Sequence, residues 1–230
     1  MLRTLPTLIV VCLVIVSSQV KAQTTTFGFR SGPTFNNVSQ TQAVDAVTPE
    51  LDYLIGFSAG VFAEVPISET FAFRPELAYS QKGFSLLQGA NIDLFGAPLP
   101  IGVRANTRFD YLDLPLLLKA QFGNEQVKGF VLAGPSLNYA INGRIKTEAS
   151  GLLDLNISNT KLDLDAINYE RFEFAGVLGA GIAFESSFGT ISLDGRFEQG
   201  FTQLYDIPLV SERVKNQGFA INAGIAIPLN

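Results

Sequence analysis

Ten charged residues stand at alternating positions within apolar stretches: Arg30, Arg74, Glu76, Lys82, Asp113, Lys119, Glu173, Asp194, Arg196 and Glu198. Half are cations and half carboxylates. Such a balance suits ion pairs better than two carboxylates acting as acid and base. The chain has 230 residues and no histidine, which removes the commonest general base and metal ligand. A serine–histidine relay is therefore impossible. Asp154, Asp163 and Asp165 could hold calcium, but a solvated acidic face is the simpler reading. No catalytic, metal or cofactor site is expected. A net charge of −5 leaves no basic footprint for nucleic acid.

The elements carrying these charges have a period of two. In 109–122, Leu112, Leu114, Leu116, Leu118, Ala120 and Phe122 alternate with Tyr111, Asp113, Pro115, Leu117, Lys119 and Gln121. Successive side chains of a strand point to opposite faces, so this stretch is a two-faced strand. The pattern predicts eight strands, near 25–35, 54–65, 70–86, 109–122, 128–142, 169–184, 190–201 and 218–229. Pro75, Pro115 and Pro135 fall inside them. Proline removes a ladder hydrogen bond, so local bulges are expected there.

Three connections are short, at 66–69, 123–126 and 185–189. Four are long, at 36–53, 87–108, 143–168 and 202–217. They alternate without exception, which puts every tight turn at one end of an up-and-down sheet. An even strand count with short turns and long loops describes a transmembrane β-barrel. After position 22 no run of about 18 apolar residues remains for a membrane helix. The N-terminus, with Arg3, an apolar run over 8–16 and Val20-Lys21-Ala22, reads as a secretory signal peptide cut after Ala22. The only cysteine, Cys12, lies in that run. The expected organisation is a signal at 1–22 and one barrel domain at 23–230.

Alternation fits two inverted objects. A soluble lipocalin-like barrel would turn its apolar face inward around a hydrophobic ligand. A membrane barrel would turn it outward to lipid. An eight-stranded barrel is only wide enough to be filled by side chains or hold one small ligand. Here the apolar face is bulky and the polar face is rich in Gly, Ala and Ser, which favours the membrane form. Charged residues are 16% of the chain, below the roughly 25% of soluble domains. A Lys or Arg facing lipid near mid-bilayer costs roughly 2–4 kcal/mol. The ten charged residues named above are therefore expected to form a salt-bridged lumen without a continuous pore.

The segment Tyr111-Leu112-Asp113-Leu114-Pro115-Leu116-Leu117-Leu118-Lys119 resembles the Y-L-E-x-P-L-L-x-K strand of PorT-type outer-membrane β-barrel proteins. Ala133-Gly134-Pro135, Gly179-Ala180-Gly181 and Phe27-Gly28-Phe29-Arg30-Ser31-Gly32 are similar to other segments of that family. The resemblance spans essentially the whole mature chain. It implies a Bacteroidota-type barrel in the bacterial outer membrane, in a family mostly of unassigned activity; that the chain is not an enzyme is expected from its residues, which include no histidine. The chain departs from many such barrels in ending Ile227-Pro228-Leu229-Asn230, without a terminal aromatic residue.

With a generic scaffold, function is expected in the loops. Leu94, Phe95, Leu99 and Ile101 make one loop unusually apolar, and exposed apolar patches often mark contact sites. In the next loop, Leu153, Leu155 and Ile157 alternate with polar residues, as do Leu162 and Leu164. With Ser158-Asn159-Thr160 as a turn, that reads as a hairpin whose rim could accept a partner strand. Expected partners are outer-membrane lipid and a protein at these loops; the chain is expected to be a monomer.

Overall fold

The computed structural model describes residues 24–39, 51–94, 97–150, 155–167, 169–203 and 215–229. The signal segment lies outside them. Ten strands follow: β1 (Thr26–Ser39), β2 (Leu51–Asp52), β3 (Leu54–Pro66), β4 (Phe71–Leu94), β5 (Ala97–Gly123), β6 (Val127–Ser150), β7 (Leu155–Leu162), β8 (Phe172–Ser186), β9 (Gly189–Gly200) and β10 (Lys215–Pro228). All but β2 and β7 close into an eight-stranded antiparallel barrel in the order β1-β3-β4-β5-β6-β8-β9-β10. The seam joins the chain's ends, from Thr26 opposite Pro228 to Ser39 opposite Lys215.

The barrel is inverted relative to a water-soluble domain. Phe27, Phe73, Leu112, Leu118, Leu178 and Ile225 are exposed, while Arg74, Glu76, Glu173 and Asp194 are buried. Period two carries this inversion around the whole wall. On β5 the outward apolar residues run from Leu112 to Phe122. Ten residues of tilted strand cover about 25 Å, the height of the apolar band of outer-membrane barrels.

The three prolines make no bulge. The register runs unshifted through Pro75 opposite Leu116, and through Pro115 opposite Ser136. It continues through Pro135 opposite Gly176. Two successive pairs drop out of the ladder beside them, and the flanking pairs hold the alignment. The register shifts instead between Asp110 and Tyr111, where Ile141 is the extra residue of β6, and between Thr147 and Glu148.

Of the 87–108 stretch, expected as a loop, residues 87–94 and 97–108 are strand. β4 and β5 stay paired from Leu87 opposite Arg104 up to Leu94 opposite Ala97. Its prolines and glycines resemble loop punctuation, but continuous pairing with a long partner overrides them. β6 also continues upward, to Ser150 opposite Gly102, and β7 pairs along β6. A four-stranded sheet, β4-β5-β6-β7, thus rises from one side of the barrel. The hairpin expected around Ser158-Asn159-Thr160 is absent. Those residues lie inside β7 and face Ile145, Lys146 and Thr147 of β6. The 163–167 half of that hairpin is a turn instead, because Asp163 Oδ1 accepts the backbone N–H groups of Asp165 and Ala166 at 3.1 and 3.3 Å.

Leu118 faces outward near the middle of the band. Leu118→Arg is expected to lower folding stability in lipid vesicles by about 2–4 kcal/mol, measured by urea titration of the refolded barrel. An unchanged midpoint would contradict this outward facing.

Candidate functional site

Three side-chain layers fill the lumen. The central one is built on Glu76 of β4. Its carboxylate accepts from Arg30 Nε at 2.6 Å, Arg74 Nε at 2.7 Å and Arg196 Nη1 at 2.8 Å. In the ring of strands β4 and β9 are diametrically opposed, so Glu76–Arg196 crosses the barrel. Asp194 takes Arg196 Nε at 2.6 Å, and Asn222 Nδ2 donates to the same carboxylate at 3.1 Å. Arg30 Nη1 also donates to Ser58 and Asn222.

The layer toward the loops is centred on Lys82. Its ammonium pairs with Glu198, with Glu173 at 3.1 Å and with Asp113 at 3.4 Å. Asn138 Nδ2 bridges Glu173 and Glu198, and Ser136 donates to Asn138. A cavity of about 50 Å³ separates parts of these two layers, bordered by Lys82, Asp113, Arg196 and Asn216. It has room for a few waters and no more.

The third layer, toward the short turns, is largely apolar. Leu117, Phe130, Leu132, Val177 and Ala183, on the neighbouring strands β5, β6 and β8, pack together along one side of the lumen. The Arg74 guanidinium lies 3.6 Å from the Phe62 ring centroid, and Lys119 Nζ lies 4.7 Å from that of Phe130. Glycine makes room for the inward rings. A Cβ on Gly181 would lie 2.5 Å from Phe130 Cζ, and one on Gly28 would collide with Phe62. Below this layer Glu64 accepts from Lys119 at 2.9 Å and from Arg74 at 3.0 Å. A recess of about 160 Å³ opens there between Glu64, Lys119, Lys128 and Glu185.

All ten charged residues singled out from the sequence point into the lumen, Glu198 with part of its side chain still accessible. Glu64, Asn138, Asn222 and the inward Phe62, Phe130 and Leu132 were missed. Strand alternation signals them, because each sits at the parity opposite its strand's outward apolar residues, Val61 and Val65 on β3, Val131 and Leu137 on β6, and Ile221 and Ile225 on β10, although none of these strands carries one of the ten charges. Among the described residues no group of three or more His, Cys, Asp or Glu could hold a metal ion.

The loop end is stoppered. Tyr169 stacks on Phe109 at 4.4 Å between centroids, and its hydroxyl meets that of Tyr111 at 2.5 Å. Asn216 Nδ2 donates to Tyr111 at 3.2 Å. Leu164, expected as an exposed contact residue, is buried in this cluster, with Leu162 packed against it. The turn after β7 folds back over the barrel mouth, so its leucine finds an apolar shelter. Leu94, Leu99, Ile101, Leu155 and Ile157 lie in β4, β5 and β7, but their side chains are outside the described set. Phe95, Leu153 and Asp154 fall wholly outside the described residues.

Removing one partner from a buried ion pair costs about 3–5 kcal/mol, because the remaining charges stay desolvated. Glu76→Ala leaves three guanidiniums around an empty centre. It is expected to lose at least that much in denaturant unfolding from vesicles, while the exposed-pair variant Arg171→Ala changes little. Equal stability of the two would contradict a central role for Glu76.

A family model described as an outer membrane protein beta-barrel domain matches residues 18–206. The chain belongs to that family. No curated protein sequence matches it. Among solved structures it is similar to Neisserial surface protein A, at 11% identity and a TM-score of 0.42, covering 88% of this chain and 97% of that one. It is also similar to OprG from Pseudomonas aeruginosa, at 9% identity and a TM-score of 0.44, covering 90% and 98%. Ail of Yersinia pestis matches at 15% identity and a TM-score of 0.40, covering 89% and 100%. The protein is a barrel of the bacterial outer membrane in contact with membrane lipid, and a membrane barrel fits it better than a soluble lipocalin.

Proposed function

We propose that this barrel is a non-enzymatic, closed scaffold, with its short turns in the periplasm and the β4-β5-β6-β7 sheet presented outside the cell to a protein partner. The observation that carries this reading is the filling of the lumen. Apolar side chains of β5, β6 and β8, two ionic layers and an aromatic stopper succeed one another along the axis, a filling that supports a closed lumen. The charges are neutralised by one another and serve packing, in a chain without histidine. What distinguishes this barrel is therefore the sheet raised on one side of its rim. We place it with the PorT-type barrels, supported by the segment from Tyr111 to Lys119. There Asp113 and Lys119 enter the lumen while Leu112, Leu114 and Leu118 face lipid.

Liposome swelling tests the closed lumen. Vesicles carrying the protein are expected to admit small sugars no faster than protein-free vesicles. The triple variant Leu117→Ala/Phe130→Ala/Leu132→Ala is expected to leak measurably. Rapid swelling with the unaltered protein would sink the scaffold reading. For the raised sheet, replacing 86–104 by a tight turn is expected to keep the heat-modifiable gel mobility of a folded barrel and to abolish any cross-linked product formed on intact cells.

A further inference from the structure

The outer face of the raised sheet carries cations just where the lipid-facing band ends. On β5 the last outward apolar residue is Leu112, and Asp110 and Arg108 follow. On β6 the band ends at Ile141, and Arg144 and Lys146 follow. The strand register places Arg108 opposite Arg144 and Arg144 opposite Lys161. Directly opposed residues share a face, so three cations stand side by side across three strands. Lys146 lies one step above them, opposite Asn106 and Asn159. The row joins the lipid-facing wall through Tyr79, whose hydroxyl donates to Asp110 at 2.7 Å. Arg144 pairs with the same carboxylate at 2.9 Å.

Like charges placed directly opposite one another destabilise a sheet, and this row is only partly compensated. Asp110 is buried and committed to Arg144, Tyr79 and Asn142. Glu148 pairs with Lys146 at 2.6 Å. Among the described residues no carboxylate comes within ion-pair reach of Arg108 or Lys161. Among the described residues Arg108 donates to the Ile55 carbonyl, at 3.3 Å. The four cations thus exceed the two carboxylates by two charges. The opposite end of the barrel has the reverse balance: Lys128 is paired with Glu185 at 3.2 Å, with Glu69 and Glu125 nearby in the turns.

We infer that this face binds the phosphorylated headgroups of lipids in the leaflet on the loop side. The acyl chains would lie against Leu112, Leu137 and Ile141, and the phosphate would meet Arg108, Arg144 and Lys161. Guanidinium–phosphate hydrogen bonds are charge-assisted and bidentate. The row's position fixes the depth at which a headgroup engages it. A protein partner would need a matching acidic strip at bilayer level, whereas a lipid phosphate is there by construction.

The test uses the full chain in phosphatidylcholine bilayers with spin-labelled lipids, comparing association of labelled phosphatidic acid and phosphatidylcholine by electron paramagnetic resonance. The unaltered protein is expected to prefer phosphatidic acid roughly thirty-fold at low salt, as about one kcal/mol for each of the two uncompensated cations would give. The preference should fall steeply in 1 M salt. Arg108→Gln/Lys161→Gln should reduce it to near unity, and Lys128→Gln at the other end should leave it unchanged. The exposed single variant Lys161→Gln, expected to give an intermediate value, serves if the double variant fails to fold. No preference in the unaltered protein overturns the proposal. So does a preference that survives these substitutions or is lost with Lys128→Gln. The scaffold reading needs no lipid selectivity and stands or falls on the swelling assay.

Discussion

A carboxylate held among three guanidiniums is the contact around which the barrel is organised. Glu76 gathers Arg30, Arg74 and Arg196 within 2.8 Å, joining β1, β4 and β9. In lipid the wall cannot be held together by burying its greasy face, because the surroundings are equally greasy. What remains are the backbone ladder and the contents of the lumen. An eight-stranded cylinder leaves space only for side chains. Cations banished from the lipid face must share that space, and they can do so only with carboxylates beside them. The central layer meets this need with geometry tight enough to offset much of the desolvation. The Lys82 layer repeats it in the opposite sense, one ammonium among three carboxylates.

Most of this was legible in the residues, for a physical reason. The two-residue period of a strand has no slack: a slip of one residue would put Arg74 or Lys119 into lipid. The charges thus fix the parity of their strands, and with parity the facing of almost every side chain. Charge alone does not describe the lumen, however. Phe62, Phe130 and Leu132 share the inward parity, yet apolar packing inside a polar lumen does not follow from a division of faces into greasy and ionic. Gly28 and Gly181 are the complementary signal, since such rings need a neighbour without a side chain.

The elements beyond the membrane band were harder to read. Pro98, Pro100 and the nearby glycines suggest a loop, and only the pairing of β4 with β5 shows a hairpin there. Ser158-Asn159-Thr160 has turn composition, yet β6 offers it a partner along its whole length. Leu164 reads as one arm of a hairpin and Tyr169 as the start of a strand. Their shelter against Phe109 and Tyr111 depends on a chain reversal set by the Asp163 side chain. Parity governs residues within a strand; where the chain leaves the wall, its course depends on contacts between distant segments.

The seam between β1 and β10 makes the wall circular in all but covalent connectivity. Leu229 donates its backbone N–H to the Thr25 carbonyl at 2.9 Å, so both ends of the described chain emerge beside one another, level with the tight turns. No strand then has a privileged place: the same ring could be opened at 67–70, 124–126 or 187–188 and rejoined across the ends without altering a rung. Order of synthesis and order around the ring are separable here, and the gap between Thr25 and Leu229 is, geometrically, one more short turn.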